Sequence, residues 1–495
     1  MRKIWLALLL GLLAPMLGLR AQAADISGME RITDQQGFGR PYALFDGSTL
    51  VETRYAQGSW LTLEDAGGIG SLYLIFNLEY GPYTLTNNDT GEVLTLGEYG
   101  ILHEFADLEA AFGTAPTSVT VRFDSGEVRL NELYMFSPGE VPDFVQKWQP
   151  PAEGETDILL FSTHGDDEQL FFAGLLPYYH GELGCKVQVV YYTDHRNMNA
   201  ARCHEMLNGL WAVGVDTYPV FGGYPDLLVT TMKQSYEINA LYGITEEEVL
   251  EFVVTQLRRF KPMVAVGHDI LAGEYGHGQH MMYADLLCKA LEITMDPEQF
   301  SVSAERYGTW DVPKTYLHLW PENTVTMDWD KPLERFGGMT AYQVTKELGY
   351  PCHKTQYYDF LWYFHQIDAA ADIEKYSPCA YGLYRSTVGP DVLKNDLMEN
   401  VDSYAVRKQK AEDARLEAER LAVEEAARQA EETAKKETPP PETTVPAPTE
   451  TTITEATTDE TEEQAKPDIF LPLMGLILAM LILAKLSQLL RGKIF

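Results

Sequence analysis

The chain has 495 residues and a formal net charge of -35, so it is long for one hydrophobic core and too acidic to attract a polyanion. We therefore expect two folded domains with accessory segments, and no nucleic acid among the partners. The five cysteines are an odd number without a CxxC pair, and they predict neither a disulfide framework nor a thiolate zinc site. Nothing in the composition predicts an oligomeric state.

The N-terminal part of the chain is predicted to contain a signal peptide and a β-sandwich. Residues 1–23 begin with two basic residues, continue as an apolar run and end in Ala-Gln-Ala, which is typical of a signal peptide; an uncleaved anchor is the alternative. Within residues 25–145, apolar and polar residues alternate, as at Val119, Val121 and Phe123. Several such strands predict a small all-β sandwich as an accessory domain.

From 152 to 400 the pattern changes to alternating strands and helices. The continuous apolar segments DILLFST, KVQVVYYTD and MVAVG read as buried strands, and amphipathic segments separate them. This alternation predicts an α/β domain with a Rossmann-like, mostly parallel sheet and helices on both faces. Because ligand sites in such sheets lie at the carboxyl ends of the strands, the chemistry is expected directly after each strand. Trp148 and the prolines that follow it predict a hinge between this domain and the sandwich.

The C-terminal part is predicted to tether these domains to a membrane. Residues 405–436 are rich in Ala, Glu, Arg and Lys and predict a charged helical stalk, and 437–466 are rich in Thr, Pro and Glu and predict a disordered linker. Residues 469–490 are long and apolar enough for one transmembrane helix, and the basic tail at 491–495 places that end in the cytoplasm. We therefore expect a single-pass type I protein of the cell membrane with an extracytoplasmic catalytic domain.

Four polar residues follow the first buried strand of the α/β domain, in the motif His164-Gly165-Asp166-Asp167-Glu168. A histidine and a carboxylate three residues apart across a turn into a helix can both face one cation, while the carboxylate between them faces a water molecule. We therefore predict His164 and Asp167 as metal ligands and Asp166 as a general base. A helix cap made by one of the two aspartates is the alternative.

A second polar group follows the strand MVAVG, where His277-Gly278-Gln279-His280 opens another helix. A catalytic zinc ion needs a third protein ligand and an open position, and His280 is the predicted third ligand. His277 is predicted to act as an acid or as an oxyanion stabiliser, with Tyr275 as a catalytic helper. The predicted cofactor is Zn²⁺, with another divalent metal such as Fe²⁺ as the alternative. His268, next to the strand, is expected to support the ligands or to have a structural role.

These two motifs resemble those of the LmbE/PIG-L de-N-acetylases, which have His-Pro-Asp-Asp-Glu after a strand and His-Pro-Asp-His much later in the chain. The resemblance covers about 157–381 and implies the same roles for the ligands and the base. It also implies that Arg202 holds a polar part of the substrate and that Asp226 accepts hydrogen bonds from sugar hydroxyls. An ordinary ion pair and a turn residue are the alternatives for these two side chains.

Two residues depart from the pattern of this family. Gly165 stands where the family has proline, and Gln279 stands where it has an acidic residue between the two histidines. Because a carboxylate favours the charged form of an imidazole, a neutral residue at 279 is expected to weaken His277 as an acid.

The resemblance implies a metal-dependent hydrolase that removes the N-acetyl group from an extracellular substrate containing N-acetylglucosamine. One alternative is a membrane-tethered, glycan-binding surface protein with a non-catalytic metal site. The other is an amidase for a different N-acyl or thiol-conjugate substrate.

Overall fold

The computed structural model describes residues 21–37, 40–78, 80–151, 153–193, 200–356 and 366–437. The chain divides into two compact units, Met1–Glu419 and Arg420–Phe495. The predicted transmembrane helix and tail lie outside the described residues, as do residues 1–20 of the predicted signal peptide and almost all of the predicted linker. Among the residues that are described, no helix combines the length and the apolar character needed to cross a membrane.

The N-terminal part forms a sandwich of two antiparallel sheets. Its strands are β1 (Ile32–Gln36), β2 (Thr53–Tyr55), β3 (Trp60–Glu64), β4 (Ser71–Phe76), β5 (Tyr83–Asn87), β6 (Val93–Leu96), β7 (His103–Asp107), β8 (Ser118–Phe123) and β9 (Val128–Phe136), with helix α1 (Leu108–Phe112) before β8. The sheet orders are β1-β3-β8-β5-β6 and β2-β9-β4-β7. In β8 the apolar residues that alternate in the sequence are fully buried, because every second side chain of a strand faces the other sheet.

The three residues of the predicted cleavage pattern pack along this sandwich. The backbone N–H of Ala23 donates to the carbonyl of Glu140 at 2.8 Å, and the N–H of Glu140 donates to the carbonyl of Ala21 at 2.9 Å. The side chain of Ala23 is buried against Tyr73 and Phe136 of the sheet. The signal peptide itself stays a prediction.

The following domain is built on a seven-stranded mixed sheet. Its strands are β10 (Ile158–Ser162), β11 (Val187–Thr193), β12 (Val220–Tyr224), β13 (Val264–Gly267), β14 (Lys314–His318), β15 (Thr324–Thr326) and β16 (Ala380–Ser386), in the order β12-β11-β10-β13-β14-β16-β15. The first five strands in that order are parallel, and β16 runs antiparallel to both of its neighbours. The predicted mostly parallel sheet is therefore confirmed, with an antiparallel edge.

Helices cover both faces of this sheet, where two separate groups of buried apolar side chains form the core. In chain order, the helices after β10 are α2 (Asp167–Leu170), α3 (Ala200–Ala212), α4 (Met232–Leu241), α5 (Glu246–Phe260), α6 (Gly273–Gly276), α7 (Gly278–Ile293), α8 (Ser301–Tyr307), α9 (Ala341–Val344) and the exposed α10 (Tyr404–Glu437). The segment predicted as a charged stalk lies in α10, a single helix of 34 residues. All five cysteines are free.

The sandwich packs directly against the α/β domain, and both belong to the first compact unit. Trp148, predicted to be part of a hinge, is buried and packs edge-on against Trp211 and Tyr218. Between the same two domains, the ring of His103 in β7 contacts His204 in α3 through a 2.8 Å hydrogen bond between ring nitrogens. Trp148 is therefore packed in the interface between the two domains.

Candidate active site

The two histidine motifs meet at one edge of the parallel sheet. Strand β10 ends at Ser162 and β13 ends at Gly267, and these strands are neighbours in the sheet. The loop after β10 leads into α2, and the loop after β13 leads through α6 into α7. Because parallel neighbours end at the same edge, residues more than one hundred positions apart in sequence come into contact.

The three predicted ligands bring one atom each to a common point. His164 Nδ1 lies 3.2 Å from Asp167 Oδ2 and 3.1 Å from His280 Nε2, and His280 Nε2 lies 3.3 Å from Asp167 Oδ2. Tetrahedral bonds of about 2 Å to zinc place ligand atoms about 3.3 Å apart. All three side chains are buried. The spacing and chemistry of these donors therefore fit one divalent cation.

Hydrogen bonds to the other ring nitrogens support this assignment. His164 Nε2 lies 3.2 Å from Gln279 Oε1, and His280 Nδ1 lies 2.6 Å from a carboxylate oxygen of Glu274. Since both of these oxygens accept, the facing ring nitrogens carry the protons. The opposite nitrogens, which face Asp167, then have free lone pairs, as metal ligands require.

Asp166 is oriented toward the pocket and does not cap a helix. It occupies the residue before α2, yet its side chain makes no capping hydrogen bond to the backbone of that helix. Burial raises the pKa of Asp166 to about 6, although Arg202, with its Nη2 3.6 Å from Asp166 Oδ1, acts to lower it. A carboxylate with a raised pKa is a stronger base and is still deprotonated near neutral pH. The helix-cap alternative is therefore wrong for Asp166.

His277 is a neutral imidazole beside the three ligands. It precedes α7, and its Nδ1 accepts a hydrogen bond from the backbone N–H of Gln279 at 3.3 Å. Burial, together with the nearby His164 and His280, lowers the pKa of His277 to about 2. The proton of the neutral ring is therefore on Nε2. Of the two predicted roles, this geometry fits a hydrogen-bond donor to an oxyanion better than an acid.

Tyr275 is at the rim of the same pocket. Its side chain is 44 % exposed, its ring stacks on Phe171 with 5.8 Å between ring centroids, and its edge faces His277. Burial of the hydroxyl and the surrounding carboxylates raise the pKa of Tyr275, so the phenol stays protonated. It is placed to donate a hydrogen bond to a bound substrate.

Arg202 and Asp226 line the pocket together with the predicted ligands and base. The pocket has a volume of about 250 Å³. Arg202 is only 6 % exposed and faces Asp166, so it does not form an ordinary surface ion pair. Asp226 Oδ1 lies 3.4 Å from His164 Nε2 and remains partly exposed to the pocket. Both side chains are placed where a substrate would contact them, and their roles in binding stay predictions.

Three features of the site were not predicted from the sequence. Glu274 contacts the ligand His280 and two further histidines, and nothing in the local pattern distinguishes it from an ordinary loop glutamate. The side chain of Gln279 contacts His164 rather than His277. His353 lies close behind the site, 3.2 Å from Glu168.

Residues 159–291 match the family model described as "PIG-L: GlcNAc-PI de-N-acetylase". None of the curated proteins compared with the chain matches it.

Three of the similar solved structures are enzymes. N,N'-diacetylchitobiose deacetylase from Pyrococcus horikoshii is 12% identical, with a TM-score of 0.29, over 46% of this chain and 84% of that one. A deacetylase of the teicoplanin biosynthesis pathway is 16% identical, with a TM-score of 0.27, over 41% and 86%. The 4-carboxy-2-hydroxymuconate hydratase of Pseudomonas putida KT2440 is 16% identical, with a TM-score of 0.28, over 49% and 99%.

At such low identities and scores these structures carry no inference about the reaction of this chain. The family match rests instead on the segment that contains both histidine motifs, and these motifs are the ones that form the site. The chain therefore contains a domain of the LmbE/PIG-L family at residues 159–291.

Proposed function

We propose that this protein is a zinc-dependent hydrolase that removes the acetyl group from an N-acetylglucosamine-containing substrate on the outside of a membrane. The observation that carries the proposal is the meeting of His164, Asp167 and His280 beside Asp166, a carboxylate with a raised pKa that neither caps a helix nor completes the ligand set. Two imidazoles and one carboxylate around an open pocket are typical of catalytic zinc sites.

The residues around the pocket suit hydrolysis of an amide. His164, Asp167 and His280 would hold a divalent cation, which when bound would lower the pKa of a water molecule and polarise the amide carbonyl. Asp166 accepts a proton as water attacks the carbonyl carbon, and it returns this proton to the nitrogen when the C–N bond breaks. His277 Nε2–H and the hydroxyl of Tyr275 donate hydrogen bonds to the oxygen that gains negative charge. The products are acetate and a free amine.

The proposed substrate class rests on the family match and on the polar side of the pocket. Arg202 and Asp226 offer a donor and an acceptor in the pocket that holds the base, which suits a hydroxyl-bearing ring better than a purely apolar amide. The proposed location outside the membrane rests on the sequence of residues 1–23 and 469–490 alone.

The direct test measures acetate and free amine released from N-acetylglucosamine glycans by the zinc-loaded protein. The wild type is expected to release both in equal amounts, and Asp166→Ala is expected to lower the rate by roughly 10²–10⁴-fold, the usual contribution of a general base. Asp124→Ala, which removes a partly exposed carboxylate in the sandwich, is the matched control and is expected to retain the wild-type rate. Equal rates for the wild type and Asp166→Ala would refute the proposed mechanism.

A further inference from the structure

A buried glutamate lies behind the three ligands and contacts three histidines. Glu274 is only 4 % exposed. Its carboxylate oxygens lie 2.6 Å from His280 Nδ1, 3.1 Å from His268 Nδ1 and 2.8 Å from His318 Nδ1. The same carboxylate accepts a hydrogen bond from the backbone N–H of Asp269 at 3.0 Å. A buried charge is costly unless donors surround it, and four donors do so here.

The contacts with His280 and His268 determine which nitrogen of each ring carries the proton. His280 Nδ1–H donates to Glu274 Oε2, so His280 Nε2 is unprotonated and faces the other ligands. His268 Nδ1–H donates to Glu274 Oε1, and His268 Nε2 accepts a hydrogen bond from the backbone N–H of Thr163 at 3.1 Å. The ring of His280 is therefore held at Nδ1, and the ring of His268 is held at both nitrogens, with its Nε2 also 3.3 Å from Asp167 Oδ2.

This arrangement connects the two halves of the site. Thr163 directly precedes His164 in the loop after β10, whereas His280 lies at the start of α7. One carboxylate therefore orients a ligand on α7 and, through His268, the backbone of the loop that holds the other two ligands. The sheet brings these segments close, and Glu274 and His268 form hydrogen bonds to both of them.

His318 at the end of β14 is the third histidine that contacts Glu274. Its Nε2 lies 2.9 Å from the carbonyl oxygen of Ser377, and its Nδ1 faces Glu274. Glu274 is therefore also contacted from β14, the neighbour of β13 in the sheet.

The backbone of Glu274 has an unusual conformation. Its φ of 56° and ψ of -94° lie outside the regions that side chains with a Cβ normally adopt. Gly273 and Gly276 on either side also have positive φ, and they allow the chain to turn sharply enough to bury the glutamate. Such strain persists where surrounding interactions require it, and it concentrates at functional sites.

We propose that Glu274 is a positioning residue for the divalent cation, because it sets the tautomer of His280 and, through His268, the loop that carries His164 and Asp167. This inference rests on the metal site of the proposed function but not on its substrate. Glu274 is therefore expected to affect metal affinity through its contact with His280, although it does not line the pocket.

The test measures the affinity of the full-length protein for zinc by competition with a chromophoric chelator. Glu274→Gln keeps the size of the side chain but turns one acceptor into a donor that faces a ring N–H, and the affinity is expected to fall by about 10–100-fold. Glu274→Asp keeps the charge and is expected to retain more of the affinity. Glu132→Gln is the matched control, since Glu132 is an equally buried carboxylate in the sandwich, and its zinc affinity is expected to equal that of the wild type.

Each outcome of this experiment decides one question. Zinc binding by Glu274→Gln as tight as that of the wild type would overturn the positioning role. The role would also be overturned if Glu274→Gln stays unfolded with and without zinc while Glu274→Asp folds and binds zinc as the wild type does. If the wild type itself binds no zinc, the metal dependence of the proposed function fails. If the wild type binds zinc but releases no acetate, the proposed reaction fails, and the comparison of zinc affinities still tests Glu274.

Discussion

At the scale of single residues, the site shows how neighbours assign different tasks to similar side chains. His280 and His277 are three residues apart at the start of α7, yet a carboxylate holds one ring and a backbone N–H holds the other. The first has a free Nε2 that faces the other ligands, and the second has a protonated Nε2. One histidine is therefore suited to bind a cation and the other to donate a hydrogen bond.

We expect His277→Ala to lower kcat by about 10²–10³-fold and to change KM little, since the lost hydrogen bond forms to charge that develops only in the transition state. Steady-state kinetics on an N-acetylglucosamine glycan would measure both constants. Zinc affinity is expected to stay at the wild-type value. A large loss of zinc affinity would instead show that His277 is a metal ligand, since one of its ring nitrogens is close to those of His164 and His280.

At the scale of secondary-structure elements, packing against α3 explains a departure from the family pattern. Gly165 lies in the loop after β10, where the family has proline. A Cβ at this position would overlap the buried side chain of Met206 in α3. The same helix carries Arg202 into the pocket. A small residue in the loop therefore allows α3 to approach the site closely.

Gly165→Ala is expected to lower the free energy of unfolding by about 1–3 kcal/mol, because the added methyl group overpacks this contact. Met206→Ala removes a buried side chain and lowers stability by itself, but it frees the space that the methyl group occupies. The loss in the double variant is therefore expected to be smaller than the sum of the two single losses. Denaturant unfolding of the two single variants and the double variant would measure the coupling between the positions. Additive losses would contradict the proposed contact.

At the scale of the whole molecule, a buried chain of hydrogen bonds connects the sandwich to the catalytic domain. The hydroxyl of Tyr73 lies 2.7 Å from His103 Nδ1, and His103 Nε2 lies 2.8 Å from His204 Nδ1. Burial lowers the pKa of His204 to about 4 and that of His103 well below its usual range. Both rings are therefore neutral at pH 7, because burial in the interface disfavours their charged forms.

This interface predicts a loss of stability in acid. An unfolded histidine has a pKa of about 6.5, so between about pH 6.5 and pH 4 the unfolded chain binds more protons than the folded one, and the free energy of unfolding falls as the pH falls. His204 alone is expected to contribute about 2 kcal/mol between pH 7 and pH 5. Denaturant unfolding at these two pH values would show a smaller difference for His204→Asn than for the wild type. If the free energy of unfolding changes equally between the two pH values in both proteins, the buried histidines His103 and His204 are not the source of the change.

The sequence by itself determined the order of the elements and the chemistry of the two motifs. Alternation and continuous apolar runs identified the sandwich and the parallel strands, and the spacing of His164 and Asp167 predicted that their side chains come together, because backbone geometry relates residues that are close in sequence. Only the tertiary structure decided which further side chains surround these ligands. Glu274 contacts histidines from three elements, and Gly165 contacts Met206 from another helix. Such contacts depend on how distant elements pack, and neither periodicity nor motif spacing carries that information.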